Sequence, residues 1–159
     1  MRTKYLPSVL DLDMSIYPKV NTILFDIDNT LIHPTKRYPT LDVIDFVHKL
    51  ISDGYEVYLF SNNTNTRIVC AAISFGCKYF DSQRKPLAGD LKRFLKNHRK
   101  KPEEVLIVGD QVFTDILCGK QCKVNTVLVE MITKKEPFST SWKRGLELPF
   151  KKYIISHSK

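Results

Sequence analysis

Polar side chains that can do chemistry follow three apolar runs of this chain. In chain order they are Asp26, Asp28 and Thr30 after the first run, Ser61, Asn62 and Asn63 after the second, and Asp110 and Asp115 after the third, with Lys85 between the second and third. Each group has an ordinary structural explanation, namely a polar turn, a helix cap or a surface cation. If the three runs are strands of one parallel sheet, however, their carboxyl ends meet at one edge, where sites of this fold class form.

The elements that would position these residues can be read from the hydrophobic pattern. Short apolar runs predict buried strands at 22–25, 55–60, 105–108 and 126–129, with a weaker one at 78–80. Helical periodicity predicts helices at 41–51 after a cap at Thr40, from Asn63 or Thr64 to Phe75, at 87–97 and at 113–121. This alternation predicts a three-layer α/β/α, Rossmann-like fold with a parallel sheet.

Length and composition indicate one globular domain. The chain has 159 residues, of which 43% are hydrophobic and 26% charged. We expect a single domain over residues 1–159, with a core at about 20–130 and a basic C-terminal extension at 131–159. In that extension, Gly145 and Pro149 argue against a long helix over residues 139–153.

The cysteines and the apolar runs bear on location. The four cysteines lack the paired C-x-x-C spacing of a zinc site, so we expect thiols in a reducing compartment. No apolar run approaches the ~18 residues that a membrane span needs, and the N-terminus does not resemble a secretory signal. These observations predict a cytoplasmic protein.

The net charge of +8 is concentrated in two segments. Residues 83–101 carry 8 basic and 1 acidic side chains, and residues 131–159 carry 7 basic and 2 acidic ones. A solvated helix face explains such a run, as does attraction to an anionic membrane, a nucleic acid or a phosphorylated substrate. Charge alone leaves these possibilities open.

Taken together, the polar segments resemble a known set of motifs. Asp-Ile-Asp-Asn-Thr at 26–30, Ser-Asn at 61–62, Lys-Pro at 85–86 and Gly-Asp-x-x-x-x-Asp at 109–115 are similar, in type and order, to the four motifs of the haloacid dehalogenase superfamily of phosphohydrolases. The resemblance implies a Mg²⁺-dependent phosphatase in which Asp26 is the nucleophile that forms an aspartyl-phosphate. It implies that Asp28 protonates the leaving oxygen and then activates the hydrolytic water.

The same resemblance implies the remaining roles. The Mg²⁺ ligands would be Asp26, the backbone carbonyl of Asp28 and Asp110, with Asp115 in support. Ser61 and the Asn62 N–H would hold phosphoryl oxygens, and Lys85 would offset the negative charge between Asp26 and the phosphate. Thr30 and Asn63 would be supporting residues. Without these cations, the clustered carboxylates would repel one another.

The spacing of the motifs bears on the substrate. Asp28 and Ser61 are 33 positions apart, and Ser61 and Lys85 are 24 apart, which leaves no room for a cap domain at either place. The resemblance is therefore to the capless members, subclass IIIA. An open site suits a lipid head group, a nucleic-acid end or a phosphoprotein, or a small metabolite if an oligomer supplies a lid.

The flanking residues narrow the resemblance further. Leu6-Pro7, Ser61-Asn62-Asn63, Thr114-Asp115 and the basic tail are similar to the YqeG-type subgroup, which is itself similar to phosphatidylglycerophosphate phosphatases. This implies hydrolysis of phosphatidylglycerophosphate to phosphatidylglycerol at an anionic membrane surface, in mitochondria if the source is eukaryotic. Phe138, Trp142 and Phe150 would then contact the interface, or else pack on the sheet.

Two other hypotheses stay open at this point. The first is the same chemistry on nucleic-acid 3′-phosphate ends, a phosphoprotein or a small phosphorylated metabolite. The second is a non-catalytic module that binds anionic surfaces on the same fold. The set of four carboxylates argues against the second, because a binding module has no need to retain so many charges in one cleft.

Overall fold

Six parallel strands form one sheet in the parts of the chain that the computed structural model describes, residues 2–62, 65–81, 88–133 and 148–157. In chain order they are β1 (Thr3–Leu6), β2 (Thr22–Phe25), β3 (Glu56–Ser61), β4 (Lys78–Asp81), β5 (Val105–Gly109) and β6 (Asn125–Val129). Their order across the sheet is β1-β6-β5-β2-β3-β4. The strands that precede the three polar motifs are therefore neighbours, with β2 between β5 and β3.

Helices cover both faces of this sheet. They are α1 (Leu41–Ser52), α2 (Asn65–Phe75), α3 (Gly89–Asn97), α4 (Leu117–Gln121) and α5 (148–156), with a π-helical turn at Val112–Ile116 leading into α4. Alternate residues of β2 point to opposite faces, as the pleat of a strand requires. Ile23 and Phe25 pack with α1 and α2, whereas Leu24 packs with α3 and α4. The predicted three-layer α/β/α architecture is confirmed.

Most of the predicted elements lie where the sequence pattern placed them. All five predicted strands are present, including the weak one that became β4. The helix α1 follows Thr40, although the Thr40 side chain makes no capping hydrogen bond to the helix. Gly76, with φ of +60°, follows the end of α2, where a left-handed residue commonly terminates a helix.

Two predicted features need correction. The segment ending at Leu6, expected only to lead into the first strand, is itself the edge strand β1 and pairs with β6. The helix expected at 113–121 is divided into the π-helical turn and α4. In the tail, the described residues 148–156 are helical and include Pro149. The rest of the amphipathic stretch lies outside the described residues.

The state of the thiols and the length of the helices can be read directly from the structure. All four cysteines are free, with Cys118 and Cys122 buried. Burial raises the pKa of the Cys77 thiol to about 12, so this thiol stays protonated at neutral pH. No helix in the described ranges combines the length and apolar character needed to cross a bilayer.

The close approach of α4 to β6 yields a stability prediction. A Cβ atom on Gly119 would lie 2.2 Å from Cγ2 of Thr126, a buried β-branched side chain with little freedom to move. We expect Gly119→Ala to lower the free energy of unfolding by about 1–3 kcal/mol through overpacking, as measured by urea denaturation. Gly89→Ala is the matched control, because nothing lies within 4 Å of its added Cβ. An unchanged urea midpoint for Gly119→Ala would contradict the packing argument.

Candidate active site

Three buried carboxylates meet at the carboxyl ends of β2 and β5. Asp26, Asp110 and Asp115 each offer a carboxylate oxygen, and these oxygens lie within 4.8 Å of one another. Asp26 directly follows β2, and its N–H donates to the carbonyl of Val108 on β5 at 2.9 Å, which extends the pairing of the two strands. The cluster therefore follows from strand adjacency, which brings together residues more than 80 positions apart in sequence.

Asp115 reaches this cluster because of Gly109 and the π-helical turn. A Cβ on Gly109 would lie 2.2 Å from Oδ2 of Asp115, so only glycine leaves room for this carboxylate. The Gln111 N–H donates to the same oxygen at 3.2 Å, and the Asp115 N–H donates back to the Gln111 carbonyl at 3.0 Å. The wider π-helical turn thus directs Asp115 over the end of β5.

The chemistry of this cluster fits a hard divalent cation. Three like charges in a buried site repel one another strongly, and oxygen ligands are the kind that Mg²⁺ prefers. Asp26, Asp110 and Asp115 would hold such an ion. Asp115, expected as a supporting residue, thus lies together with two of the expected ligands.

A tight turn follows Asp26 and carries Asp28. Asn29 adopts a left-handed conformation with φ of +62°, and its N–H donates to the Ile32 carbonyl at 3.0 Å. The Oδ1 atom of Asn29 accepts from the Thr133 N–H at 3.1 Å, so the turn is tied to the segment after β6. Thr30 is buried here, and within the described residues its hydroxyl oxygen has no hydrogen-bond partner.

Asp28 has a side-chain partner that the sequence reasoning missed. Arg67, in the first turn of α2, donates to Oδ1 of Asp28 from Nε at 2.8 Å, and its Nη2 lies 2.6 Å from the same oxygen. The Asp28 side chain is not in the carboxylate cluster. A positive charge in the first turn of a helix is unfavourable because it opposes the helix dipole. The position of Arg67 early in the predicted helix was therefore a sequence signal that this side chain has an acidic partner.

The structure describes some of the candidate phosphate-binding residues but not all of them. Ser61 is the last residue of β3 and is buried, and the exposed Asn62 follows it. Because Phe25 pairs with Leu59, Ser61 lies at the same edge of the sheet as Asp26. Lys85 and Asn63 lie outside the described residues, so their expected roles stay predictions.

Known proteins similar to this chain include phosphatases. The profile of a family described as HAD-hydrolase-like matches residues 82–136. Probable phosphatase YqeG of Bacillus subtilis (strain 168) is 29% identical over 128 residues, which is 80% of this chain and 74% of that protein. Phosphatidylglycerophosphate phosphatase 1, chloroplastic/mitochondrial, of Arabidopsis thaliana is 28% identical over 137 residues, 79% of this chain but 39% of that protein.

Solved structures agree on the fold. The structure of a predicted HAD-like family hydrolase from Porphyromonas gingivalis superimposes with a TM-score of 0.60 and 15% identity, covering 79% of this chain and 98% of that chain. An uncharacterized protein from Listeria monocytogenes serotype 4b gives a TM-score of 0.60 at 14% identity, covering 74% and 85% of the two chains. At these identities the likeness concerns the fold alone.

The parallel sheet, the order of its motifs and the similar proteins agree with one another. Together they support a phosphatase of the haloacid dehalogenase superfamily, similar to the YqeG type.

The contact between Gly109 and Asp115 can be tested directly. We expect Gly109→Ala to displace the Asp115 carboxylate and to raise the Mg²⁺ concentration needed for half-maximal phosphatase activity on the order of 10- to 100-fold. The measurement is a Mg²⁺ titration of p-nitrophenyl phosphate hydrolysis, accompanied by thermal melting to confirm folding. Gly89→Ala is again the control, and a Mg²⁺ requirement equal in both variants would show that Asp115 does not depend on this contact.

Proposed function

We propose that the protein is a Mg²⁺-dependent phosphomonoester hydrolase that converts phosphatidylglycerophosphate to phosphatidylglycerol through an aspartyl-phosphate on Asp26. The observation that carries the chemical part is the buried cluster of Asp26, Asp110 and Asp115 at the carboxyl edge of the sheet. The lipid part is supported by similarity to the plant phosphatidylglycerophosphate phosphatase.

The proposed reaction has two displacements at phosphorus. A carboxylate oxygen of Asp26 attacks the phosphorus while the bond to the leaving oxygen breaks, and Asp28 gives that oxygen a proton. Asp28 then takes a proton from water as the water oxygen attacks the same phosphorus, which releases inorganic phosphate and restores Asp26. Bound Mg²⁺ would supply the charge neutralisation that lets an anionic nucleophile approach an anionic ester.

The phosphoryl oxygens need donors from the chain itself. In the proposed arrangement the Ser61 hydroxyl and the Asn62 N–H donate to two of these oxygens. The ammonium of Lys85 would offset the remaining charge between Asp26 and the phosphate. The position of Ser61 at the end of β3, the strand next to β2, supports this part of the proposal.

The surface of the C-terminal helix α5 supports the proposal that the substrate lies at a bilayer surface. The helix α5 exposes Leu148, Tyr153 and Ile155, with the basic Lys152 beside them. Exposed apolar residues interspersed with lysine are typical of helices that lie in a membrane interface. Each lysine or arginine near an anionic bilayer adds about 1 kcal/mol of attraction. We therefore propose that the protein acts at the cytoplasmic surface of a membrane, or in mitochondria if the source is eukaryotic.

The helix α5 is attached close to the proposed catalytic edge. Its Ile154 packs with Val112 and Ile116 of the π-helical turn that carries Asp115. The ring of Phe150 is half exposed and meets Phe113 edge-on, with centroids 5.7 Å apart. Of the three aromatic residues considered for membrane contact, Phe150 thus packs on the protein and still presents surface, while Phe138 and Trp142 lie outside the described residues.

A nucleic-acid substrate is the second candidate. The helix α3 exposes Lys92 and Lys96 on its solvent face, within the most basic segment of the chain. A row of lysines can track a phosphate backbone, and such binding weakens steeply as the salt concentration rises. The salt dependence of the rate therefore separates this candidate from a small phosphorylated metabolite.

A substrate panel tests the proposed function. We expect the wild-type protein with Mg²⁺ to release phosphate fastest from phosphatidylglycerophosphate in vesicles, compared with a 3′-phosphorylated oligonucleotide, a phosphopeptide and a small phosphate ester. Asp26→Asn removes the nucleophile, so its rate should fall on the order of 10³-fold or more.

Each other outcome of the panel decides against part of the proposal. Rapid hydrolysis of the small ester with none of the lipid would overturn the lipid assignment. Oligonucleotide hydrolysis that is fastest at low salt would favour the second candidate. No hydrolysis of any ester by the folded, Mg²⁺-loaded protein would favour a non-catalytic binding module.

A matched pair of surface variants tests the membrane contact. We expect Ile155→Ser to weaken co-sedimentation with phosphatidylglycerol-containing vesicles about 3- to 10-fold, because part of an apolar side chain no longer enters the interface. Ile73→Ser makes the same change at an exposed position on α2 and should leave vesicle binding unchanged. Equal vesicle binding by both variants would show that α5 does not contact the membrane.

A further inference from the structure

The guanidinium of Arg67 connects three parts of the chain. Besides the two contacts with Oδ1 of Asp28, its Nη1 donates to the Lys36 carbonyl at 2.9 Å and its Nη2 to the His33 carbonyl at 3.4 Å. Arg67 belongs to α2, Asp28 to the turn after β2, and the two carbonyls to the loop that continues from that turn. One side chain therefore holds the Asp28 turn and its following loop against α2.

This pair differs from an ordinary surface ion pair. The side chains of Arg67 and Asp28 are 21% and 31% exposed, so each is largely removed from water. Arginine is suited to such a place, since its planar fork donates in several fixed directions at once and stays charged. A lysine has one compact ammonium and cannot reach Asp28 and both carbonyls with the same geometry.

We propose that Arg67 is a positioning residue that fixes the carboxylate of Asp28 for proton transfer to and from the reacting oxygens. The inference rests on the role given to Asp28 under the proposed function. Proton transfer requires the donor and acceptor within hydrogen-bond distance, and a misplacement of about 1 Å can cost on the order of 100-fold in rate. Arg67 acts through Asp28, with no contact to the substrate required.

The competing role for Arg67 is direct binding of the substrate phosphate. An arginine near a phosphatase site can donate two hydrogen bonds to a phosphate. That role would strengthen the binding of inorganic phosphate, a product that competes with substrate. A positioning role would leave phosphate affinity nearly unchanged and would lower kcat.

The experiment uses the full chain and p-nitrophenyl phosphate, so that it does not depend on the lipid assignment. We expect Arg67→Met to lower kcat on the order of 10- to 100-fold, while the inhibition constant of inorganic phosphate changes less than about threefold. Arg67→Lys keeps the charge without the fork, and its kcat should fall between those of the wild type and Arg67→Met. Arg93→Met is the matched control, because Arg93 forms its pair with Asp90 on α3, at 3.0 Å, outside the site.

A double-mutant cycle with Asp28→Asn tests whether the two residues act as a unit. If Arg67 acts through Asp28, the variant with both changes should be no slower than Asp28→Asn alone, within about twofold. Thermal melting of every variant confirms that it is folded, and Arg67→Lys serves if Arg67→Met is not.

Several results would overturn the assignment of Arg67. The first is a kcat of the folded Arg67 variants within twofold of wild type. The second is a tenfold or larger rise in the phosphate inhibition constant. The third is that Arg67→Met lowers kcat by the same factor in the wild type and in Asp28→Asn. The phosphate inhibition constant gives a decision even where Asp28→Asn is too slow to measure further loss. A wild-type kcat for Asp28→Asn itself would instead reject the proposed role of Asp28.

Discussion

Mutual repulsion among Asp26, Asp110 and Asp115 is the constraint around which this structure is arranged. Three carboxylates whose oxygens lie within 4.8 Å of one another, at buried positions, are costly without a cation. The strands below them are almost wholly buried and apolar, and their packing offsets the local cost. A rigid support thus holds together an arrangement of carboxylates that is unfavourable by itself and that a cation would stabilise.

That support consists of short, specific contacts rather than a long loop. β2 and β5 are adjacent, so Asp26 and Asp110 begin from neighbouring strand ends. The third carboxylate arrives through the π-helical turn, and the absence of a side chain at Gly109 lets it approach. Placement on strand ends keeps the carboxylates in fixed relative positions, whereas a mobile loop would allow them to separate and escape their repulsion.

The features that could be predicted from the sequence are those whose signal lies within a short stretch of the chain. The strand runs and the polar residues at their ends predicted that Asp26 and Asp110 share one edge, because the ends of parallel strands coincide. β1 escaped prediction because it has four half-buried residues, and its partner β6 is more than 120 positions away. The pair of Arg67 and Asp28 also escaped, since a long side chain that crosses between elements leaves no periodic pattern. The π-helical turn resembles an ordinary helix in its sequence spacing, so the pattern did not distinguish the two.

The far edge of the sheet links the C-terminal helix to the site. Lys151 of α5 donates to Glu130 at 2.7 Å, and the Tyr5 hydroxyl donates to the other oxygen of that carboxylate at 2.6 Å. Burial, together with the hydrogen bond and charge of Glu130, raises the pKa of Tyr5 to about 12, so the phenol keeps its proton throughout the neutral range. Because Ile154 of the same helix packs on the turn that carries Asp115, α5 lies directly against the support of the carboxylate cluster.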